Sequence, residues 1–315
     1  MNIARTVNPI PPFDFALSSY IFADGDPQIA RSDDNEFRQV LRVGDKLMLA
    51  TVTSVGSIEK PKLRLTFACD FALSNREVNE ASASISRVFN TDLDVRPFHL
   101  AIDKDPIMSS LAKKLCGLKN PVTPTVFEAL FDSIVEQQIS LNVAHVLQRR
   151  VIKAFGDVLR RHGKQYYAFP TPEQLSLAST DRLRRCGLSR GKADYIKGIA
   201  ERISVRKVDL EQLRQCEDLR EILDRLCALR GVGTWTAELT AIRGLNRLDA
   251  IPADDVGLQR WISHYYCGDK RITSAQARNI AEQWGKWKGL ASYYLIIAGL
   301  IKVQRPDATQ KDSSS

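Results

Sequence analysis

The hydrophobic period changes along this chain, and that change restricts the available folds more than any other feature. In the N-terminal third, Lys46-Leu47-Met48-Leu49 and Lys62-Leu63-Arg64-Leu65-Thr66-Phe67 alternate with the period of two of half-buried strands, with a turn expected near Gly56-Ser57. Ser74 to Phe89 reads as a helix, so this part is expected to form a small α+β unit. Charges, prolines and weak periodicity between Asn90 and Pro124 mark a boundary. Beyond it almost everything reads as helix. Phe127, Leu130, Phe131, Ile134 and Val135 form a buried stripe at helical spacing, with Thr123 as expected N-cap and Pro124 at the first helical position. Thr171-Pro172-Glu173-Gln174 offers a capping box. Further helices are expected near residues 142–155, 189–203, 219–229, 234–243, 256–266, 274–284 and 291–303. The predicted fold class is α+β, with a small β-rich domain over residues 1–110, a large all-α domain over residues 111–305 and a disordered tail over residues 306–315.

Composition narrows the partner. With 315 residues the chain can bury a core without staples. Its 45 Lys+Arg against 37 Asp+Glu give a net charge of +8, which favours a polyanion without identifying one. The six cysteines, Cys69, Cys116, Cys186, Cys216, Cys227 and Cys267, stand singly with no metal-ligand spacing, so no metal or cofactor is expected and the thiols read as reduced packing residues. Met1 to Phe13 lacks a signal-peptide core, and the apolar run at Leu295 to Leu300 is too short to span a bilayer. A monomer in the cytoplasm, nucleoid-associated and with no membrane contact, is the expectation.

The most informative segment is Leu229-Arg230-Gly231-Val232-Gly233-Thr234-Trp235-Thr236-Ala237, between two apolar-periodic helices. Two glycines one residue apart permit a sharp turn that brings backbone N–H groups to the start of the next helix, where the dipole favours a phosphate. A plain helix-turn-helix connection would use the same glycines only for the turn. About one helix and one loop later comes Ile251-Pro252-Ala253-Asp254-Asp255-Val256-Gly257-Leu258, two adjacent acids in a proline-marked loop that opens another helix.

With this pair of motifs the sequence resembles the helix-hairpin-helix, Gly/Pro-Asp superfamily of DNA glycosylases, and within it the 3-methyladenine DNA glycosylase II type. Glu136-Gln137-Gln138-Ile139-Ser140, Phe169-Pro170-Thr171-Pro172, Gly187-Leu188-Ser189-Arg190-Gly191-Lys192-Ala193, Trp284-Gly285-Lys286-Trp287 and the opening Pro11-Pro12-Phe13-Asp14-Phe15 extend the likeness over nearly the whole chain. The resemblance implies a β-rich N-terminal domain before a helical glycosylase domain, and a monofunctional enzyme that removes alkylated bases of the 3- or 7-methylpurine type flipped from double-stranded DNA, leaving an abasic site. Asp255 takes the place of the essential carboxylate, although either Asp254 or Asp255 could instead cap the next helix. A fixed carboxylate suits this chemistry because breaking an N-glycosidic bond builds positive charge on the sugar.

Further roles follow from the resemblance. Trp235 stands where bifunctional relatives carry the Schiff-base lysine, so no strand cleavage is expected; it is a candidate base-pocket aromatic, or a core residue that pins the hairpin. Iron–sulfur relatives need four cysteines after the Pro-Asp loop, where this chain has only Cys267. Other pocket aromatics are replaced by Leu239, Val256 and Gly299. Gln138 falls at the wedge that fills the gap left by the flipped base. Gly231, Val232, Gly233, Thr234, Thr236, Arg190 and Lys192 are the expected DNA contacts, whereas Tyr166, Tyr167, Trp261 and Trp287 read as packing residues. Two other functions stay open on sequence alone: a non-catalytic DNA-binding module, and a glycosylase for a neutral deaminated or mismatched base.

Overall fold

The structure is a computed structural model that describes residues 2–33, 35–161 and 163–304. The tail expected over residues 306–315 lies outside the described residues. Strands β1 (Asn2–Val7), β2 (Ala30–Asp33), β3 (Glu36–Val43), β4 (Lys46–Ser54) and β5 (Leu63–Ala68) form one antiparallel sheet in the order β1-β5-β4-β3-β2. The alternation seen in the sequence is the burial pattern of β5, where Leu63, Leu65 and Phe67 point inward while Arg64 is exposed. Helix Asn75–Val88, started by a Ser74–Glu77 capping box, lays Val78, Ala81, Ile85 and Val88 into the same core.

The stretch expected to be a loose boundary is folded. Helices Arg96–Ala101 and Pro106–Lys114 put Phe98, Met108 and Leu111 into one core with Leu258, Ile262, Trp284 and Leu295 from the end of the chain. The expected division at residues 110 and 111 therefore falls inside Pro106–Lys114, and we place it between Phe89, the last residue of the N-terminal core, and Val95. A second helical core joins Phe131 and Ile134 of helix Val126–Glu136, Ile196 and Ile199 of helix Arg190–Ser204, and Ala237 and Ala241 of helix Thr234–Leu245.

Several local expectations shift. The N-cap of Val126–Glu136 is Thr125, whose hydroxyl accepts from the N–H of Glu128, while the Thr123 hydroxyl donates to the carbonyl of Thr125. Helix Ser274–Ala281 is shorter than expected, since a 3-10 turn over Glu282–Trp287 follows, broken at Gly285 with φ 52°. A hairpin of β6 (Val158–Arg161) and β7 (Lys164–Tyr167) interrupts the helical region. Its Leu159 packs with Val40 and Leu49 of the N-terminal sheet and fastens the two parts together.

Candidate active site

Asp255 sits where the two helical cores meet. It is the N-cap of helix Val256–Tyr266, whose Leu258, Ile262 and Tyr265 belong to the C-terminal core. Its Oδ1 accepts from the N–H of Leu258 at 2.8 Å, and its Oδ2 accepts from the indole N–H of Trp235 at 3.1 Å. Trp235 opens the hairpin helix, which belongs to the other core. The carboxylate is thus held at both oxygens from two different bodies of the fold, yet the residue stays partly exposed. Asp254 is exposed and does not cap this helix, which resolves the choice between the two acids as far as capping goes. The loop itself is anchored by Gln259, whose amide donates to the carbonyl of Ala253 at 2.8 Å.

The hairpin before Trp235 turns at Gly231, φ +86°, where a Cβ would lie 2.2 Å from the ring of Tyr195. Gly233 has open space around it and takes the N-cap position of helix Thr234–Leu245 with no side-chain cap. The first-turn N–H groups of this helix are therefore left without a side-chain acceptor, with the helix dipole behind them. Two expected contacts are placed otherwise. The N–H of Val232 is taken by the carbonyl of Leu229 at 3.1 Å, and the residue is buried. Thr236 is 2% exposed and its hydroxyl accepts from the amide of Gln137, so it faces the protein.

Opposite the hairpin, helix Val126–Glu136 ends in Gln137 and Gln138. Gln138 is exposed with φ 57°, a left-handed conformation that turns the chain out of the helix. Lys192, expected as a phosphate ligand, instead donates to the carbonyls of Val135 and Gln137 at 2.8 and 2.6 Å. Burial pushes its ammonium below the ordinary lysine value. Arg190, by contrast, is open to solvent, its side chain 82% exposed beside Asp194.

Deeper in the junction lie groups that no local pattern announces. Trp235, Leu239 and Arg243 follow one another on one face of their helix, at i, i+4 and i+8, and Glu128, Asp132 and Glu136 do the same on the facing helix. Arg243 reaches back to both oxygens of Glu136 at 2.9 and 2.7 Å. Burial alone would lower the pKa of this arginine, but Glu136 outweighs it, with Asp132 and Asp255 adding, so the cation is held. Burial pushes Glu128 up to about 8 and, together with Glu128 and Glu136, takes Asp132 well above the usual carboxylate range. The Tyr293 hydroxyl is buried without a hydrogen-bond partner among the described residues. Of the replaced aromatics, Leu239 is buried, Val256 is 80% exposed beside Asp255, and Gly299 is closed off by the ring of Trp261, 2.3 Å from where a Cβ would stand.

This geometry can be set beside known proteins. Residues 131–286 match the family described as HhH-GPD superfamily base excision DNA repair protein. A DNA-3-methyladenine glycosylase of Bacillus subtilis (strain 168) is 28% identical over 264 residues, covering 84% of this chain and 86% of that protein. DNA-3-methyladenine glycosylase 2 of Escherichia coli (strain K12) is 24% identical, covering 92% of this chain and 95% of that one. This chain belongs to the HhH-GPD superfamily. The fold agrees: a 3-methyladenine DNA-glycosylase from Archaeoglobus fulgidus superposes with a TM-score of 0.81 at 24% identity, over 95% of this chain and 99% of that one. As an HhH-GPD protein, the chain has the expected α+β architecture, the β-sheet first and the helices after it.

Among the described residues no group of three or more His, Cys, Asp or Glu side chains could hold a metal ion, and no disulfide joins any of the six cysteines. No helix of the described residues is long and apolar enough to cross a membrane.

Proposed function

We propose that this HhH-GPD protein is a monofunctional DNA glycosylase of base excision repair that hydrolyses the N-glycosidic bond of alkylated purines flipped out of double-stranded DNA. The observation that carries this reading is the carboxylate of Asp255, fixed at both oxygens and partly open at the junction of the two helical cores, beside a hairpin helix whose first turn has no side-chain cap. The names of the relatives, DNA-3-methyladenine glycosylases from bacteria, support the substrate class.

The roles of the residues follow from charge. As the bond from C1′ to the base nitrogen breaks, its electron pair goes to the base, which neutralises a cationic alkylated purine and makes it a good leaving group. Positive charge develops on the sugar, and Asp255, already an oriented anion in a site shielded on two sides, stabilises it. A water then adds at C1′ and gives up its proton toward Asp255, leaving the abasic sugar. Trp235 offers no amine to attack the sugar, which supports hydrolysis without strand cleavage. Arg243 is neutralised by both oxygens of Glu136, so it sets no uncompensated positive charge against a cationic base.

The exposed hairpin helix start and Arg190 would hold phosphate of the DNA backbone, and Gln138 would fill the space of the flipped nucleotide. A monomer acting at the nucleoid is consistent with this role. The test is a panel of duplexes, each with one defined lesion, followed by alkaline cleavage of abasic sites. Release confined to alkylated purines supports the reading; release only from deaminated or mismatched bases, or from none, overturns it.

A further inference from the structure

Gln138 stands on a loop that three separate contacts tie to the hairpin. First, the amide of Gln137 donates to the carbonyl of Gly231 and to the hydroxyl of Thr236, both at 2.9 Å, so the residue before Gln138 is bonded to both sides of the hairpin turn. Second, Lys192 closes the end of helix Val126–Glu136 by donating to Val135 and Gln137. Those carbonyls would otherwise be orphaned at a helix C-terminus, where a cation is also favoured by the dipole. Third, Tyr195, one turn further along the same helix Arg190–Ser204, packs its ring against Gly231 so closely that a single Cβ there would collide with it. The Arg230 guanidinium lies over the ring of Tyr195, 5.9 Å from its centre. One helix thus supports both the hairpin and the loop of Gln138, and Gln137 bonds the two to each other.

We propose that Lys192 and Gln137 are positioning residues for base extrusion: they lock the Gln138 loop to the hairpin, so that the hairpin's grip on a phosphate sets where Gln138 enters the duplex. This rests on the function proposed above. Both side chains direct their donors to groups of the protein itself, so neither is assigned a contact with DNA or with the reacting atoms. Their effect passes through Gln138, whose left-handed backbone conformation is costly for a residue other than glycine and so depends on the contacts around it. If the lock is lost, the hairpin still binds phosphate and Asp255 still serves a base that is already free, but extrusion from a paired helix loses its guide.

The experiment compares Lys192→Met, Lys192→Arg and Gln137→Ala with wild type in single-turnover release of an alkylated purine from duplex and from single-stranded DNA. In parallel, 2-aminopurine fluorescence beside a stable abasic analogue in duplex DNA reports unstacking without any need for a cleavable lesion. Lys192→Met and Gln137→Ala are expected to lose about tenfold or more on the duplex and less than about twofold on the single strand, because only the duplex requires unstacking. Both should also show a reduced 2-aminopurine signal at saturating protein. Lys192→Arg, which keeps a cation able to reach the carbonyls, is expected to recover most of the duplex rate. Equal losses on both substrates, or none on either, in variants that melt as wild type does overturn the proposal. Should Lys192→Met fail to fold, Gln137→Ala decides by the same comparison. Absence of release by the wild type would refute the enzyme reading, and the fluorescence arm would still judge the lock.

Discussion

The indole N–H of Trp235 and Oδ2 of Asp255, 3.1 Å apart, join the two helical cores at the carboxylate to which the proposed chemistry is assigned. Trp235 is therefore a donor that orients the anion, and whatever its ring does for the base comes in addition. This separates two roles that the sequence leaves merged. Trp235→Phe keeps an aromatic face but removes the donor, and a lost hydrogen bond to a charged group is worth about 1.5–3 kcal/mol. Base release at saturating enzyme should fall about tenfold or more while affinity for abasic DNA changes less than about threefold. Single-turnover rates and titrations measure both. An unchanged rate would leave the indole as a packing group.

Asp255 caps a helix and, in the proposed mechanism, also serves the sugar, so its substitutions should divide. Asparagine is as good an N-cap as aspartate. Asp255→Asn should melt within a degree or so of wild type yet lose about a hundredfold or more in base release, since the negative charge is gone. Asp255→Ala should lose the same activity and in addition about 1 kcal/mol of stability through the cap. Asp254→Asn, at an exposed position that caps nothing, should keep most of both. Equal losses from Asp254→Asn and Asp255→Asn would refute a single essential carboxylate.

What could be read from the sequence was local. The glycine turn, the Pro-Asp loop, the capping boxes and the strand alternation depend on residues within a few positions of each other, so their signals survive in a linear string. Trp235 and Asp255 are joined by a hydrogen bond, and Gln137, the neighbour of Gln138, bonds to the hairpin that carries Trp235. The contacts that hold these segments were out of reach: Lys192 lies 55 positions from Gln137, and Arg243 lies 107 from Glu136. A lysine at a helix start reads as a solvated cation or a phosphate ligand, and nothing near it in sequence says that it closes another helix. Helix Pro106–Lys114 escaped for a related reason. It is short, and its partners stand at the far end of the chain. Strand β1 pairs at a sheet edge with most of its residues exposed, which leaves little alternation to detect.

The hairpin glycines should respond unequally. Gly231 has a left-handed φ and a tyrosine ring where a side chain would go, so Gly231→Ala combines backbone strain with a clash. It should cost about 2 kcal/mol or more in stability and weaken DNA binding. Gly233 has φ −96° and open space, so Gly233→Ala should lose only the modest N-cap preference of glycine over alanine, clearly less than Gly231→Ala loses. Thermal melting and binding to undamaged duplex at several salt concentrations test the pair. Similar destabilisation by both substitutions would mean that the turn does not depend on Gly231 in this way.

Stability should also carry a signature of the half-buried acids Glu128 and Asp132. Burial raises Glu128 from the ordinary 4.5 to about 8, so the folded protein keeps a proton there that the unfolded chain releases at lower pH. The folded state then binds more protons between those two values, and stability falls as pH rises through that window and levels off above it. Asp132 is raised by burial and by its acidic neighbours, and adds a change of the same sign. Carboxylates shifted the other way, Glu77 and Asp94, each lowered to about 2, gain their effect below the window and do not mask it. Glu128→Gln cannot ionise and should flatten the decline. Melting temperatures between about pH 5 and pH 8.5 should drop by several degrees in wild type, at roughly 2–4 °C per kcal/mol for domains of this size, and by clearly less in Glu128→Gln. The same slope in both proteins would mean that Glu128 is not held protonated by its surroundings in the folded state.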